Sequence, residues 1–422
     1  MRMTPRERIE ATCNHQEPDR VAVDFGGGFQ TGIHASVVYA LRQHYGLDAP
    51  DTPVKVVETY QMLGEVKDDL YNALGIDTVS LHGTGSMFGY PSADFKEWKF
   101  HDGTPLLVPE GFNTEYDASG DLFQYPENDR SLEPSAKMPE GGYFFDAIVR
   151  QNHFDEDRLN PADNLEEFSP IATDELAIYS ERANTLYDET DRALFCTFGG
   201  LTFGDVALVP APFLKDPKGI RDIEEWYISL IMRPDYIKAV FEEQAEIAVQ
   251  NLARLHAAVG DKISVIQTNG TDFGTQNGPF CSPDQYRDLF LPYQQKVNGW
   301  IHENTNWKTF MHCCGSIVPL LDLIVEAGFD ILNPVQYSAA GMDSVMLKKL
   351  YGDQLTFWGG GIDTQKVLPF GTPAEVETEV SRQIETFAPG GGFVFCSVHN
   401  VQACTPTENM VALFQTLKKD YS

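Results

Sequence analysis

Long apolar runs are missing from this chain. None approaches the roughly 20 residues that span a bilayer. The first eight residues, Met-Arg-Met-Thr-Pro-Arg-Glu-Arg, lack the apolar segment of a secretory signal. The expectation is a soluble, cytoplasmic protein. Positive charge is scarce too: 31 Lys and Arg stand against 62 Asp and Glu, a net charge of −31. So acidic a surface repels nucleic acid and anionic membranes, and neither is expected as a partner. Cysteine is sparse: Cys13, Cys196, Cys281, Cys313, Cys314, Cys396 and Cys404. An odd count with one adjacent pair argues against a disulfide framework, so these read as reduced thiols. Low-complexity segments and interdomain linkers are absent. Residues 1–422 are therefore read as one domain, with a core drawn from a composition 42% apolar and 12% aromatic.

What is present is a rhythm. β-rich runs lie at Ile263–Gln267, Trp307–Met311, Asp330–Val335, Leu355–Trp358 and Gly392–Phe395. Helical patterns separate them at Ser282–Glu303, Ile317–Ala327, Ser344–Tyr351 and Thr372–Ala388. Alternating strand and helix implies parallel strands with helical crossovers. Thr4-Pro5, Ser282-Pro283, Thr372-Pro373 and Thr405-Pro406, each followed by Glu or Gln two residues later, mark helix starts with an N-cap and a first-turn proline.

The first half is less regular. Val21–Phe25, Thr78–Leu81 and Arg192–Phe198 read as strands. Ala35–Tyr45, Gly64–Leu74 and Pro234–Ala257 read as helices. Residues 85–160, rich in Gly, Pro, Asp and aromatics, read as a hairpin-bearing insertion around Trp98–His101 and Leu106–Val108. About eight strands alternating with helices predict an α/β fold, a (β/α)₈ barrel of the kind that needs about 250 residues and tolerates large insertions. An open doubly wound sheet is the alternative, but Gly26-Gly27-Gly28 does not fit its G-x-G-x-x-G fingerprint.

Barrel active sites lie at the C-terminal strand ends. Just past the apolar runs stand Asn269 and Asp272; His312 and Cys314; Asn333 and Gln336; Asp363; and Cys396, His399 and Asn400. His312 and Cys314, two apart on a strand, face the same side. With one more Cys or His they form a three-ligand zinc site that keeps a position open, as catalytic zinc requires. Counting strands puts this pair on the sixth, nearly beside the eighth that carries His399. Cys313 faces away and packs as a small hydrophobe. Cys13 and Cys404 are read as structural. Cys281 precedes a helix N-cap, where a thiol pKa can fall, but packing is the simpler reading. Gly359-Gly360-Gly361 suggests close backbone approach, and Glu242-Glu243 a solvated face.

Several of these segments together resemble the uroporphyrinogen decarboxylase superfamily. They are Asp272-Phe273-Gly274-Thr275-Gln276-Asn277-Gly278 with Ser282-Pro283; His312-Cys313-Cys314-Gly315; Asp330 to Gln336; Gly360 to Gln365; and Val398-His399-Asn400. The resemblance covers about 260 to 415 and, more weakly, Pro5-Arg6-Glu7-Arg8 and Pro18-Asp19-Arg20-Val21. It implies a (β/α)₈ barrel.

Decarboxylases of the superfamily use no metal and hold substrate carboxylates with an arginine motif, Arg-Gln-Ala-Gly-Arg. The matching region here reads Asp24-Phe25-Gly26-Gly27-Gly28. The other branch comprises zinc-dependent methyltransferases that work with corrinoid proteins, such as methylcobamide:coenzyme M methyltransferase, and binds zinc through His-x-Cys and a later cysteine. His312 and Cys314 match the first pair; His399 stands where the later cysteine belongs, with Cys396 three residues before it.

The resemblance thus implies a methyltransferase with Zn²⁺ on His312, Cys314 and His399, or with Cys396 as third ligand. Asp272, Asp363 and Gln336 would do catalytic work around the metal. The expected partners are a small methyl donor or thiol acceptor and a corrinoid protein that carries cobalamin, received at a mouth shaped by the 85–160 insertion. The rival readings are a metal-independent decarboxylase and a non-catalytic corrinoid or tetrapyrrole binder.

Overall fold

The computed structural model describes residues 2–151 and 154–419. All eight β runs read from the sequence are strands of one parallel sheet: β1 (Ala22–Val23), β2 (Thr78–His82), β3 (Ala193–Thr197), β4 (Ile263–Asn269), β5 (Lys308–His312), β6 (Ile331–Asn333), β7 (Thr356–Trp358) and β8 (Phe393–Phe395). The sheet runs from β2 through β3 to β8 and on to β1 in continuous parallel pairs. With helices between strands, this is the α/β barrel expected.

The ring is drawn together between β1 and β2. The Asp77 N–H donates to the Val23 carbonyl at 2.8 Å. No second strand bond answers it. Instead the Asp77 carboxylate accepts the Val23 N–H at 2.9 Å. The same carboxylate, wholly buried, is held by Arg8 at 2.5 Å and Arg20 at 2.6 Å. Two arginines from the first twenty residues thus fix the seam at the barrel's base. The weak N-terminal motifs, Arg8 and Arg20, are structural.

Local chemistry explains the helices. Thr4, Ser282 and Thr372 each close a capping box, with their N3 Glu or Gln reaching back. Thr405 differs. Its hydroxyl donates to the Gln402 carbonyl, and the helix starts at Thr407. The pattern Ser282–Glu303 is two helices, Pro283–Leu289 and Leu291–Asn304. Pro292 has no N–H to give the preceding turn, so the chain breaks there. Unforeseen helices lie at Thr173–Glu189 and Ile223–Met232.

Between β2 and β3, Lys96–Lys99 pairs antiparallel with Pro105–Val108, which adds parallel to Val54–Glu58. Leu122–Gln124, Ala136–Met138 and Asp146–Ala147 make a second small sheet.

Inside the barrel, Phe195, Phe310 and Trp358 pack edge to face with centroids 4.7 to 5.8 Å apart. The Trp358 indole donates to buried Asp24 at 2.8 Å, and the Thr78 hydroxyl meets the other Asp24 oxygen at 2.5 Å. This layer floors the barrel mouth. A cavity of about 520 Å³ opens at the opposite end, against Ile263, Trp307 and Lys308 at the strand starts, away from the residues the sequence singled out.

Removing the carboxylate of Asp77 leaves two arginines facing a buried site. Asp77→Ala is expected to cost about 3 kcal/mol or more, as loss of one partner from a buried ion pair does. Urea denaturation of the variant against the parent measures it.

Candidate functional site

The His-x-Cys pair ends β5, the fifth strand rather than the sixth. Two strands, β6 and β7, separate it from β8. The residues still meet, because an eight-stranded barrel is only wide enough for side chains to fill. One ligand atom from each of His312, Cys314 and His399 lies within 4.8 Å of the others. The His312 and His399 rings meet edge to face with centroids 5.6 Å apart. Cys396 sits outside this group, wholly buried, with its sulfur 3.9 Å from the Ser397 hydroxyl.

Neighbouring strands orient each member. The Asn333 amide nitrogen, on β6, donates to the Trp358 carbonyl at 2.8 Å, which turns its oxygen toward His312. That oxygen accepts the His312 Nδ1–H at 2.6 Å. The tautomer follows: Nε2 keeps its lone pair and lies 3.4 Å from the Cys314 sulfur. The Asn269 amide donates to the His312 carbonyl at 2.9 Å. Asp272 accepts the Cys314 N–H at 2.6 Å, and the Gln336 side-chain oxygen accepts the Gly315 N–H at 2.7 Å. Both hold the turn that presents the thiol.

His399 arrives on a loop that keeps pairing beyond β8. Gly361 N–H donates to the Cys396 carbonyl, and Val398 N–H to the Ile362 carbonyl, at 2.8 and 3.0 Å. Glycine makes this approach possible. A Cβ on Gly359 would stand 2.9 Å from the Ser397 oxygen, and one on Gly360 2.8 Å from Val335. Next to His399, the Asn400 oxygen accepts the Gly32 N–H at 2.6 Å, and its amide donates to Gln61 at 2.7 Å. The loop is thus anchored to both β1's exit and the segment after Val54–Glu58.

Electrostatics favour neutral groups. Burial, aided by His312, lowers His399 to about 4, so its imidazole is uncharged at neutral pH. Burial, reinforced by Asp272, holds the Cys314 thiol well above its ordinary range. Cys313 faces away and takes the Phe273 N–H on its sulfur at 3.2 Å. Burial lifts Cys281 to about 11, so it packs rather than reacts. Cys13 is buried, whereas Cys404 is exposed, against the structural role expected.

Asp363 stands past β7 and is buried. Its Oδ1 accepts the Gln365 N–H at 2.9 Å, capping its own loop. The sequence reading missed two acids near the mouth. Asp205 follows β3, and burial, with help from Asp272, pushes it to about 7. Glu58 lies in the small sheet, takes the Tyr60 and Gln61 N–H groups at 2.7 Å, and is also pushed by burial to about 7. Asp205 had a usable signal: it too follows a β run.

The shift at Glu58 has a signed consequence. The folded protein holds a proton there that the unfolded chain, with the ordinary value of 4.5, gives up. Stability from this group is full below about 4.5 and is lost as pH rises to about 7, by roughly 1.4 kcal/mol per unit of difference. Denaturation midpoints of Glu58→Gln should lack that decline, while its difference from the parent grows between those pH values.

Residues 211–419 match the family model described as uroporphyrinogen decarboxylase (URO-D). Among solved structures, a methyltransferase from Methanosarcina mazei shares the fold, with a TM-score of 0.54 and 17% identity over 100% of each chain. No curated protein matches. The C-terminal half of the chain is thus similar to uroporphyrinogen decarboxylase, and the whole chain shares its barrel fold with that methyltransferase.

Proposed function

We propose that the chain is a zinc-dependent methyltransferase that moves a methyl group between a small methylated substrate and a corrinoid carried by a partner protein. The observation that carries this reading is the meeting of His312, Cys314 and His399 at the C-terminal mouth. The donor set fits zinc. Ligands at about 2.0–2.3 Å in a tetrahedron stand between 3 and 4 Å apart, roughly the Nε2 to sulfur separation of 3.4 Å. His312 offers a lone pair by its tautomer, and His399 by its low pKa. Three protein ligands leave one position for substrate. The methyltransferase name of the structural neighbour points the same way.

The set has one thiolate where the family pattern has two. One thiolate offsets a single charge of Zn²⁺, so the site keeps net positive charge. When bound, zinc would act as a Lewis acid on a methoxy oxygen or would deprotonate a thiol. The positive site favours the oxygen substrate. A corrinoid on the partner would supply the electron pair that takes the methyl as the C–O bond breaks, and the departing oxygen would take one proton from solvent water. Asp272 and Gln336 are positioning residues, since each holds a backbone N–H of the Cys314 turn. Asp363 orders the rim.

Protein purified without added metal should contain about one zinc per chain, and His312→Ala should lose it. Metal-free protein with full methyl-transfer activity would overturn the reading. Asn333→Ala removes the hydrogen bond that fixes the His312 tautomer. It should weaken zinc affinity by about 10- to 100-fold, as loss of an outer-shell partner does, in competition with a chromogenic chelator.

A further inference from the structure

The β2–β4 wall of the mouth carries polar atoms that no contact described so far engages. Thr197 on β3 is in register with His82 on β2 and with Gln267 on β4, so the three side chains form one row on one face. The Gln267 side-chain oxygen and the Thr197 hydroxyl are buried and have no hydrogen-bond partner. Gln267 as a whole is 6% exposed. A buried acceptor left unpaired costs about 1–3 kcal/mol, which a donor on a bound molecule would recover.

Asp205 adjoins this row. One of its oxygens accepts the Ala207 N–H at 2.9 Å. The other lies 2.8 Å from where a Cβ on Gly270 would stand, and the Gln267 amide nitrogen lies 3.3 Å from the same point. A glycine at 270 therefore lets the carboxylate and the amide flank one spot of backbone. That backbone leads directly to Asp272 and the Cys314 turn. The wall and the His/Cys/His group are thus two parts of one mouth.

The charge of the wall is one-sided. The charged group that acts on Asp205 is Asp272, another acid. The cations that act on His82, at the far end of the row, are engaged: Arg182 with the His82 and Gly83 carbonyls, at 2.6 and 3.1 Å, and Lys55 with Glu65, at 3.2 Å.

We propose that Asp205 and Gln267, with Thr197 beside them, form the substrate's headgroup subsite, and that it takes a hydrogen-bond-donating group, an ammonium or a hydroxyl, in preference to a carboxylate or sulfonate. The inference rests on the methyltransferase reading for the placement of the methyl end at His312, Cys314 and His399. A donor here satisfies the unpaired Gln267 oxygen and the free Asp205 oxygen at once. A carboxylate would face the Asp205 carboxylate and the Gln267 oxygen, with the Gln267 amide and the Thr197 hydroxyl as its donors.

Binding of methoxyethylamine, methoxyethanol and methoxyacetate to the full chain tests this, by saturation-transfer NMR at pH 8, where Asp205 is ionised. The three differ only in the headgroup. The amine and the alcohol should bind about tenfold or more tighter than methoxyacetate, a difference of about 1.4 kcal/mol. Asp205→Asn should lower amine affinity about tenfold while leaving the alcohol nearly unchanged, a selective effect that general loosening of the fold would not give. Gln267→Leu should weaken both.

Equal or tighter binding of methoxyacetate, binding of none of the three, or an amine-to-carboxylate ratio unmoved by Asp205→Asn overturns the proposal. Repeating the titration on chelator-treated protein separates the two readings. Headgroup preference without zinc-dependent methyl transfer keeps the subsite and removes the methyltransferase. Zinc-dependent transfer without headgroup preference does the reverse.

Discussion

Closure of the barrel at one seam is the constraint on which the site depends. β1 and β2 share a single backbone hydrogen bond, and the Asp77 carboxylate stands in for the second. Arg8 and Arg20 hold that carboxylate in place. If the seam opened, β8 and its following loop, which pair with β1, would be free to swing outward. His399 would then leave His312 and Cys314. The aromatic layer of Phe195, Phe310 and Trp358 gives the ring its diameter, and Asp24 ties Trp358 back to the seam through Thr78. Stability at the base and geometry at the mouth are one problem.

The mouth itself is organised by neutral donors and uncompensated acids. Two imidazoles and one protonated thiol face each other; the Asn333 amide orients His312, and the Asp272 carboxylate holds the Cys314 backbone. Asn333 and Asn269, from the strands on either side of β5, clamp His312 from its ring and its carbonyl. Beside them Asp205 and Asp272 crowd two acidic groups into partly desolvated surroundings. Burial alone makes such charge unfavourable. A cation, whether metal or substrate, relieves it.

Much of this was legible in the sequence, for physical reasons. Each barrel strand is buried on both faces, so its apolar run stands out against amphipathic helices. The His-x-Cys spacing reports a shared face directly, because strand periodicity is two. What failed was anything that depends on how distant segments pack. Strand counting put His312 on the sixth strand. The structure puts it on the fifth, and the contact with His399 comes from the narrow interior rather than from adjacency. The helix from Ser282 looked continuous by its periodicity, yet Pro292 divides it. Glu58 was invisible, because a short sheet outside the barrel brings it to the mouth. Asp205 was overlooked in a Pro-rich loop whose course no periodicity describes.

The central claim is that His312, Cys314 and His399 hold one zinc ion and leave it a free coordination position. X-ray absorption at the zinc edge, on protein as purified, tests this most directly. The account predicts a first shell of two imidazole nitrogens, one sulfur at about 2.3 Å and one light exchangeable atom. Two or more sulfurs, or four protein ligands with no exchangeable position, would contradict it.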